Sequence, residues 1–441
     1  MYIRKSYCDL FEQIRGAVKG AGIIISGTPG IGKSFFAVYL LYQARCNGIP
    51  VIYQQPNVIE TYVLDGDKCY SYNGTVSDVA LKMKDRSLIW YIVDGKVPEH
   101  MRMFWNIITI LVCSPAREYY KELEKEGVLI YMPLWDVDEL EKGFYCTLGP
   151  SDKIEEEYEK MWSKVKQWGP IPRAVFYHNR LLPILNHEKE MYDIEKLEKL
   201  DVALGRCNMD VIRKTIWAVA TGSDNISHRI IHINTLNYLS SSYIFASVYV
   251  EERIMNKIMT EEKQKLKEFL QASEGEGQIS PMRRTLFEGV AHRCLQNGGT
   301  FTVRSLENKT SLPLSIVLQQ RPVKWFRNIQ DISPDHYNRP IARNFPSSDA
   351  IFPSDYIFQI TNSKNHAIKW VPLEATIRKL DEIYNDNKRN IGFYFVVPED
   401  KFGNYPEQKF LDQNGKVKKT NGLIMSRVKQ YVLEIPYAAL I

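Results

Sequence analysis

Residues 27–34 read GTPGIGKS, between the apolar run GIII and the stretch FFAVYLLYQAR, whose apolar spacing is that of an amphipathic helix. Strand, glycine-rich loop and helix in that order strongly limit the fold. Gly27, Gly30 and Gly32 let successive backbone N–H groups turn inward, and the helix that begins at Gly32 adds the positive end of its dipole. The loop therefore cradles an anion with several oxygens. Lys33 reaches the β and γ phosphates of such an anion, and Ser34 offers its hydroxyl to Mg²⁺. This is a Walker A loop, with Gly27, Thr28, Pro29, Gly30, Ile31, Gly32, Lys33, Ser34 and Phe35 around the phosphates.

The surrounding chain has the matching rhythm. Apolar runs at Gly22–Ser26, Pro50–Gln54, Ser87–Asp94, Thr109–Ser114 and Val128–Met132 alternate with amphipathic stretches, which predicts five buried strands of a parallel α/β sheet within residues 1–150. The third run, SLIWYIVDG, ends in Asp94, placed to hold Mg²⁺ through water opposite Ser34. Gly95 follows where an acidic neighbour would polarise the attacking water, so hydrolysis is expected to be slow or to use another carboxylate such as Glu99. Ser114, at the end of ITILVCSP, stands where a side chain senses the γ-phosphate. A turn before Pro115 explains it equally.

Residues 151–275 change to charged amphipathic stretches such as SDKIEEEYEKMWSKVKQW and read as an all-helical lid, with Tyr243–Val250 assigned to a packed helix. Within it, WGPIPRAVF fixes the backbone before Arg173, whose guanidinium fork suits a γ-phosphate. ASEGEGQIS, residues 272–280, has the composition of a hinge. Residues 276–441 read as a second α/β unit, with a helix over 281–296, strands near Phe301, Asp349, 356–361, 391–397 and 428–433, and a helix near 374–385.

In this second unit Glu288 lies on LFEGVAHRCL, Asp349 precedes an apolar run, and Gln359 and Thr361 share one face of YIFQIT. Asp349 and Gln359 together make oxygen ligands for a divalent metal, which activates water in phosphodiester cleavage beside an orienting lysine. Thr361 occupies the expected lysine position, leaving Lys364 or His366 to substitute from the loop. A helix-surface Glu, a turn-forming Asp and a strand Gln account for the same residues without a metal. Lys416, Lys418, Lys419, Arg427 and Lys429, with Trp370 and Tyr431, form a basic set that either tracks a phosphate backbone or is a solvated face.

Composition sets limits rather than a function. The 441 residues carry a net charge of +5 and 44% hydrophobic content, which excludes a fibrous or disordered chain and any strongly one-signed field. Seven scattered cysteines form no CxxC pair, which points to a reducing compartment. MYIRKSYCDLFEQI lacks a signal-peptide core and no run of eighteen apolar residues occurs, so an intracellular protein without membrane function is expected.

ISGTPGIGKSFFAVYLLYQA, YIVDG, CSP, GPIPR and FQITNSKNH together resemble the Crinkler and retrotransposon-hot-spot class of eukaryotic proteins. The resemblance implies a P-loop ATPase related to the STAND and AAA+ groups, joined to a carboxy-terminal effector that is often a PD-(D/E)XK, restriction-endonuclease-like domain. On it, Gly27–Ser34 and Asp94 match the nucleotide site, Ser114 the sensor, Arg173 the lid arginine, and Glu288, Asp349 and Gln359 the nuclease metal site, from which Thr361 departs. The ubiquitin-like header of many Crinklers is not seen before the loop, and kinase signatures are not found.

The reading that results is an effector that binds and hydrolyses ATP with Mg²⁺ and whose nucleotide state controls a DNA-binding, nuclease-like unit. Nucleotide-dependent self-association is expected, as is a nuclear location, in a host cell if the protein is delivered there. The alternatives are a non-catalytic nuclear interaction protein with a degenerate nuclease fold, and, more weakly, a metabolic kinase.

Overall fold

The structure is a computed structural model that describes residues 2–99, 105–148, 153–176, 186–214, 228–235, 237–272, 280–308, 312–341, 345, 348–352, 355–418 and 422–440. The chain divides into two compact units, Met1–Val250 and Glu251–Ile441.

The first unit opens with helix α1 (Lys5–Arg15), followed by β1 (Gly22–Ser26), α2 (Lys33–Cys46), β2 (Val51–Gln54), β3 (Thr61–Asp65), β4 (Lys68–Tyr72), α3 (Val76–Lys82), β5 (Ile89–Asp94), β6 (Ile107–Val112) and β7 (Gly127–Tyr131). They form one sheet in the order β4-β3-β2-β5-β6-β1-β7. Its five expected strands, β2, β5, β6, β1 and β7, are mutually parallel. The hairpin β3–β4 was not foreseen and extends one edge in antiparallel fashion around Gly66, whose φ of 61° permits the two-residue turn.

Alternation along the strands sorts the core into two layers. Ile23, Ile25, Trp90, Ile92, Ile108 and Ile110 pack against α1 and α2. Ile24, Tyr91, Val93 and Leu111 face the other way, against Val76, Val79 and Ala80 of α3. Burial on both faces explains why these strands read as unbroken apolar runs.

Helices α4 (Val137–Leu148), α5 (Ile154–Trp168), α6 (Pro172–Val175) and α7 (Asn186–Arg206) follow. The all-helical expectation for 151–275 then fails, because β8 (Ile231–Asn234) and β9 (Ser242–Phe245) pair as an antiparallel hairpin. Ser242–Phe245 is therefore a strand, and the helix assigned to Tyr243–Val250 begins only at Val248. Helices Val248–Glu261 and Lys263–Ala272, grouped above with the lid, fall at and beyond the division at Val250. The hinge expected at 272–280 lies, over 273–279, outside the described residues.

The second unit contains the helix Ser280–Asn297, then β10 (Gly299–Ser305), β11 (Leu314–Leu318), β12 (Val323–Phe326), β13 (Tyr337–Pro340), β14 (Ala350–Phe352), β15 (Tyr356–Ile360), β16 (Ile368–Lys369), the helix Trp370–Tyr384, β17 (Ile391–Pro398), β18 (Phe410–Leu411) and β19 (Val428–Ile435). Eight of these strands form a mixed sheet, β11-β10-β19-β17-β15-β14-β13-β12, in which β19, β17 and β15 run parallel. Leu373, Ile377 and Leu380 of the helix Trp370–Tyr384 cover one face, on Ile357, Phe393, Phe395 and Val432. No helix of the described residues is long and apolar enough to cross a membrane.

Candidate functional site

Strand order positions the glycine-rich loop Gly27–Ser34. β5, β6 and β1 are consecutive parallel neighbours, with Asp94 level with Val112 and Val112 level with Ile25, so the segments leaving their carboxyl ends lie side by side. Ligands of open α/β sheets bind at that end. Ser34 Oγ consequently lies 3.2 Å from Asp94 Oδ1, a contact between residues 60 positions apart. Hydroxyl and carboxylate thus face each other as a small octahedral cation requires, and the pair fits Mg²⁺. Burial holds the Asp94 carboxyl above its ordinary range, while the Ser34 hydroxyl and the Lys33 charge pull it back.

Lys33 is buried, and its Nζ donates to Gly27 O at 2.7 Å and Thr28 O at 3.0 Å. Burial lowers its ammonium to about 8, with Arg173 pushing the same way and Cys113 and Asp94 opposing. Gly27, Gly30 and Gly32 take φ values of 144°, 87° and 106°, which L side chains rarely adopt. At Gly30 space also forbids a side chain, since a Cβ there would lie 2.9 Å from Ile171 Cγ2 and 3.0 Å from Arg173 Cβ. The turn before Arg173 packs directly on the loop, and Arg173 N donates to Gly30 O at 3.3 Å.

The remaining expected residues divide. Ser114 follows β6 at the same sheet edge, half-buried. Ile31 is fully buried in the core and Phe35 is 63% exposed, so neither side chain was placed by the loop pattern alone. Thr28 is engaged elsewhere: its Oγ1 donates to Ile233 O at 3.0 Å and accepts from Ile233 N at 2.8 Å. Glu99 is not at the loop. Its Oε2 accepts from Val76 N at 3.0 Å, at the start of α3.

Sequence reasoning missed the supports behind the loop. Arg4 is buried, donates to Glu139 through Nε (2.9 Å) and Nη2 (2.6 Å), and reaches the carbonyls of Ile31, Pro133 and Leu134. Trp135 Nε1 also donates to Ile31 O, at 2.8 Å, and Tyr7 Oη to Gly32 O, at 2.7 Å. Only Glu139 carried a local signal, the Asp136-x-x-Glu139 capping box, which the structure closes with Glu139 N on Asp136 Oδ1 at 2.8 Å. His228, in the turn before β8, has a buried Nδ1 with no hydrogen-bond partner among the described residues; burial and the Lys33 charge push its imidazole down to about 4.

In the second unit the structure brings Asp349 and Gln359 together. Gln359 Nε2 donates to Asp349 Oδ2 at 2.5 Å, and Ile360 N to the same oxygen at 2.6 Å. Burial, then the Glu288 charge, hold the Asp349 carboxyl well above the carboxylate range, against the Ile360 amide, Arg284 and Arg339. The Asp349 and Glu288 charges oppose each other, and among the described residues no three His, Cys, Asp or Glu side chains converge on one point. A cation there would complete its shell with water and Gln359.

Lys364 does not join them. It is exposed, and its carbonyl accepts from Gln408 Nε2 at 2.9 Å. Thr361 Oγ1 instead meets His366 Nδ1 at 3.3 Å. Burial, with Arg284 and Lys369, pushes the His366 ring down to about 4. The basic set is also reduced: Arg427 is bidentate on Asp381, at 2.7 and 2.9 Å, and Lys429 pairs with Glu307 at 3.4 Å. Lys418 lies over the Trp370 ring, Tyr431 stacks on Tyr394, and Lys419 is outside the described residues.

No family profile matches the chain. Over 99% of its length it is 24% identical to Crinkler effector protein 16 of Phytophthora infestans, of which it spans 66%, and equally to Crinkler effector protein 15 of the same organism, of which it spans 67%. Solved structures similar to it include AMPPCP-bound DnaA from Aquifex aeolicus, at TM-score 0.29 and 12% identity over 66% of this chain and 88% of that one. The S. cerevisiae Hsp104–ADP complex follows at TM-score 0.28 and 12% identity, over 66% and 43%. The similarity to these Crinkler effector proteins thus runs along 99% of the chain rather than through one motif.

Proposed function

We propose that the first unit binds and slowly hydrolyses ATP with Mg²⁺, and that its nucleotide state controls a DNA-binding, nuclease-like second unit in an effector that works in the nucleus. The observation that carries this reading is the meeting of Lys33, Ser34 and Asp94 at the carboxyl end of β1, β5 and β6. When bound, Mg²⁺ neutralises charge building on the β and γ phosphates. Ser34 and Asp94 hold it. Lys33 exchanges the Gly27 and Thr28 carbonyls for phosphate oxygens, and the amides at the start of α2 complete the cradle. Arg173, fixed by its turn on Gly30, adds a fork for the γ-phosphate.

Gly95 offers no carboxylate and Glu99 is engaged with α3, which supports a slow hydrolytic clock rather than fast turnover. A ligand shifts a conformational equilibrium only through different affinities for its states, so ATP and ADP must differ in what they do to the second unit. Titration calorimetry with ATP, and nicking of plasmid DNA with ATP, ADP or no nucleotide, test the reading in wild type, Lys33→Ala and Asp349→Ala. Lys33→Ala is expected to remove the binding heat and the nucleotide dependence of nicking, and Asp349→Ala the nicking alone. Nicking indifferent to both substitutions overturns it.

A second reading, a nucleotide-gated interaction protein without cleavage, is favoured by one observation: Thr361 meets His366 where a lysine would stand. It predicts ATP-dependent assembly in gel filtration and intact plasmid in the same tubes.

A further inference from the structure

The distal cluster has two carboxyls and, at the position of Thr361, no cation. The helix Ser280–Asn297 supplies one. Arg284, Glu288 and His292 follow at four-residue spacing on one helix face, where neighbouring side chains stand one above another. His292 Nδ1 lies 2.8 Å from Tyr337 Oη, which fixes the lower end of this row. Glu288, the middle member, acts on the Asp349 carboxyl, and Arg284, the upper member, acts on both Asp349 and the His366 ring. Arg284 is the exposed member of this row, one helical turn from Glu288, and the Tyr337 ring on which the row ends lies 6.5 Å from the ring of Phe358, in the strand that carries Gln359.

Its neighbours with the same chemistry are committed. Arg283 is buried and donates to Leu270 O at 2.7 Å and Tyr437 Oη at 2.8 Å. Arg339, the other cation acting on Asp349, is buried on Glu251 at 2.8 Å and lies over the Trp325 ring. Arg284 is exposed and has no hydrogen bond or ion pair among the described residues. A free guanidinium one helical turn from a carboxylate presents a planar fork that binds two phosphate oxygens at once, while the carboxylates beside it repel the same phosphate unless a cation intervenes.

We propose that Arg284 is the phosphate-binding residue of the distal site, receiving a DNA phosphodiester beside Asp349 and Glu288 and supplying from the helix the cation that Thr361 does not supply from the strand. This rests on the reading of the second unit as DNA-binding. Ca²⁺ in place of Mg²⁺ allows binding to be measured without cleavage.

The test is fluorescence anisotropy of a labelled DNA duplex titrated with the full chain in Ca²⁺ at several salt concentrations. Arg284→Gln is expected to weaken binding about tenfold and to reduce the slope of log Kd against log salt by about one, the signature of one lost phosphate contact. Arg284→Lys should restore the slope but only part of the affinity, because the charge returns without the fork. Lys379→Gln, on the surface of the helix Trp370–Tyr384, should match wild type, and melting curves should show all three variants folded. Wild-type affinity and slope in Arg284→Gln, or an equal loss in Lys379→Gln, overturns the assignment while leaving DNA binding intact. Failure of the wild type to bind the duplex at low salt removes the underlying reading and this proposal together.

Discussion

Raising the pH from 7 to 9 should weaken ATP binding about tenfold, because the group that must meet the phosphates loses its proton in that interval. Burial has brought the Lys33 ammonium to about 8, whereas a bound polyphosphate, as a close negative charge, returns it toward its ordinary value. Binding therefore takes up a proton whenever free Lys33 is neutral, which is about one tenth of molecules at pH 7 and about nine tenths at pH 9. The γ-phosphate itself loses its last proton near pH 6, so it does not mask the effect.

The same group acts on stability with the opposite sign. A lysine lowered from 10.5 to about 8 costs the ligand-free fold roughly 3 kcal/mol while it stays charged. Between pH 8 and 10.5 the unfolded chain holds this proton more tightly than the folded one, so the Lys33 contribution makes stability rise with pH. Calorimetry at pH 7, 8 and 9 in buffers of different ionisation enthalpy reads both the affinity and the proton uptake. A dissociation constant unchanged across the range, with no proton uptake at pH 9, would refute the argument that burial tunes Lys33.

Other substitutions test the packing around each site. Gly30→Ala forces a Cβ at a φ of 87° against Ile171 and Arg173, and should cost about 1–3 kcal/mol in denaturant unfolding. Arg4→Ala leaves Glu139 unpaired in a buried setting and should cost about 3–5 kcal/mol, whereas Arg15→Ala, which breaks an exposed pair with Glu12, should cost under about 1 kcal/mol by the same measurement. Asp349 carries a carboxyl raised by burial and Glu288, so the fold loses stability as pH climbs from the ordinary carboxylate range through that raised value. Asp349→Asn should therefore raise the melting temperature at pH 8 more than at pH 5, and should abolish any stabilisation by Mg²⁺; an equal shift at both pH values would contradict the charge argument.

Some of this was legible in contiguous residues. GIII-GTPGIGKS-FFAVYLLYQAR carries strand, loop and helix within one window, and β1 begins and ends where the apolar run does, at Gly22 and Ser26. Asp94 was legible because β5 is apolar until it reaches the sheet's carboxyl edge. The β3–β4 hairpin carried a readable Gly66-Asp67 turn signal that its mixed polar flanks obscured. Tyr243–Val250 was misjudged because a short apolar run does not distinguish a strand from a helix, and here it is divided between the two.

Local sequence therefore determined the glycine-rich loop and the parallel strands, since backbone conformation and hydrophobic period are properties of neighbouring residues. Only the tertiary structure decided what each polar side chain is engaged with. Thr28 bonds to a residue 205 positions away, Arg4 to one 135 away, and Gln359 to Asp349 across two strands. It moved Glu99 from water activation to the cap of α3, set the Lys364 carbonyl on Gln408, and left Arg284 without a hydrogen bond or ion pair among the described residues where Arg283 is buried. Partners of this kind depend on the path of the folded chain, which no window of residues contains.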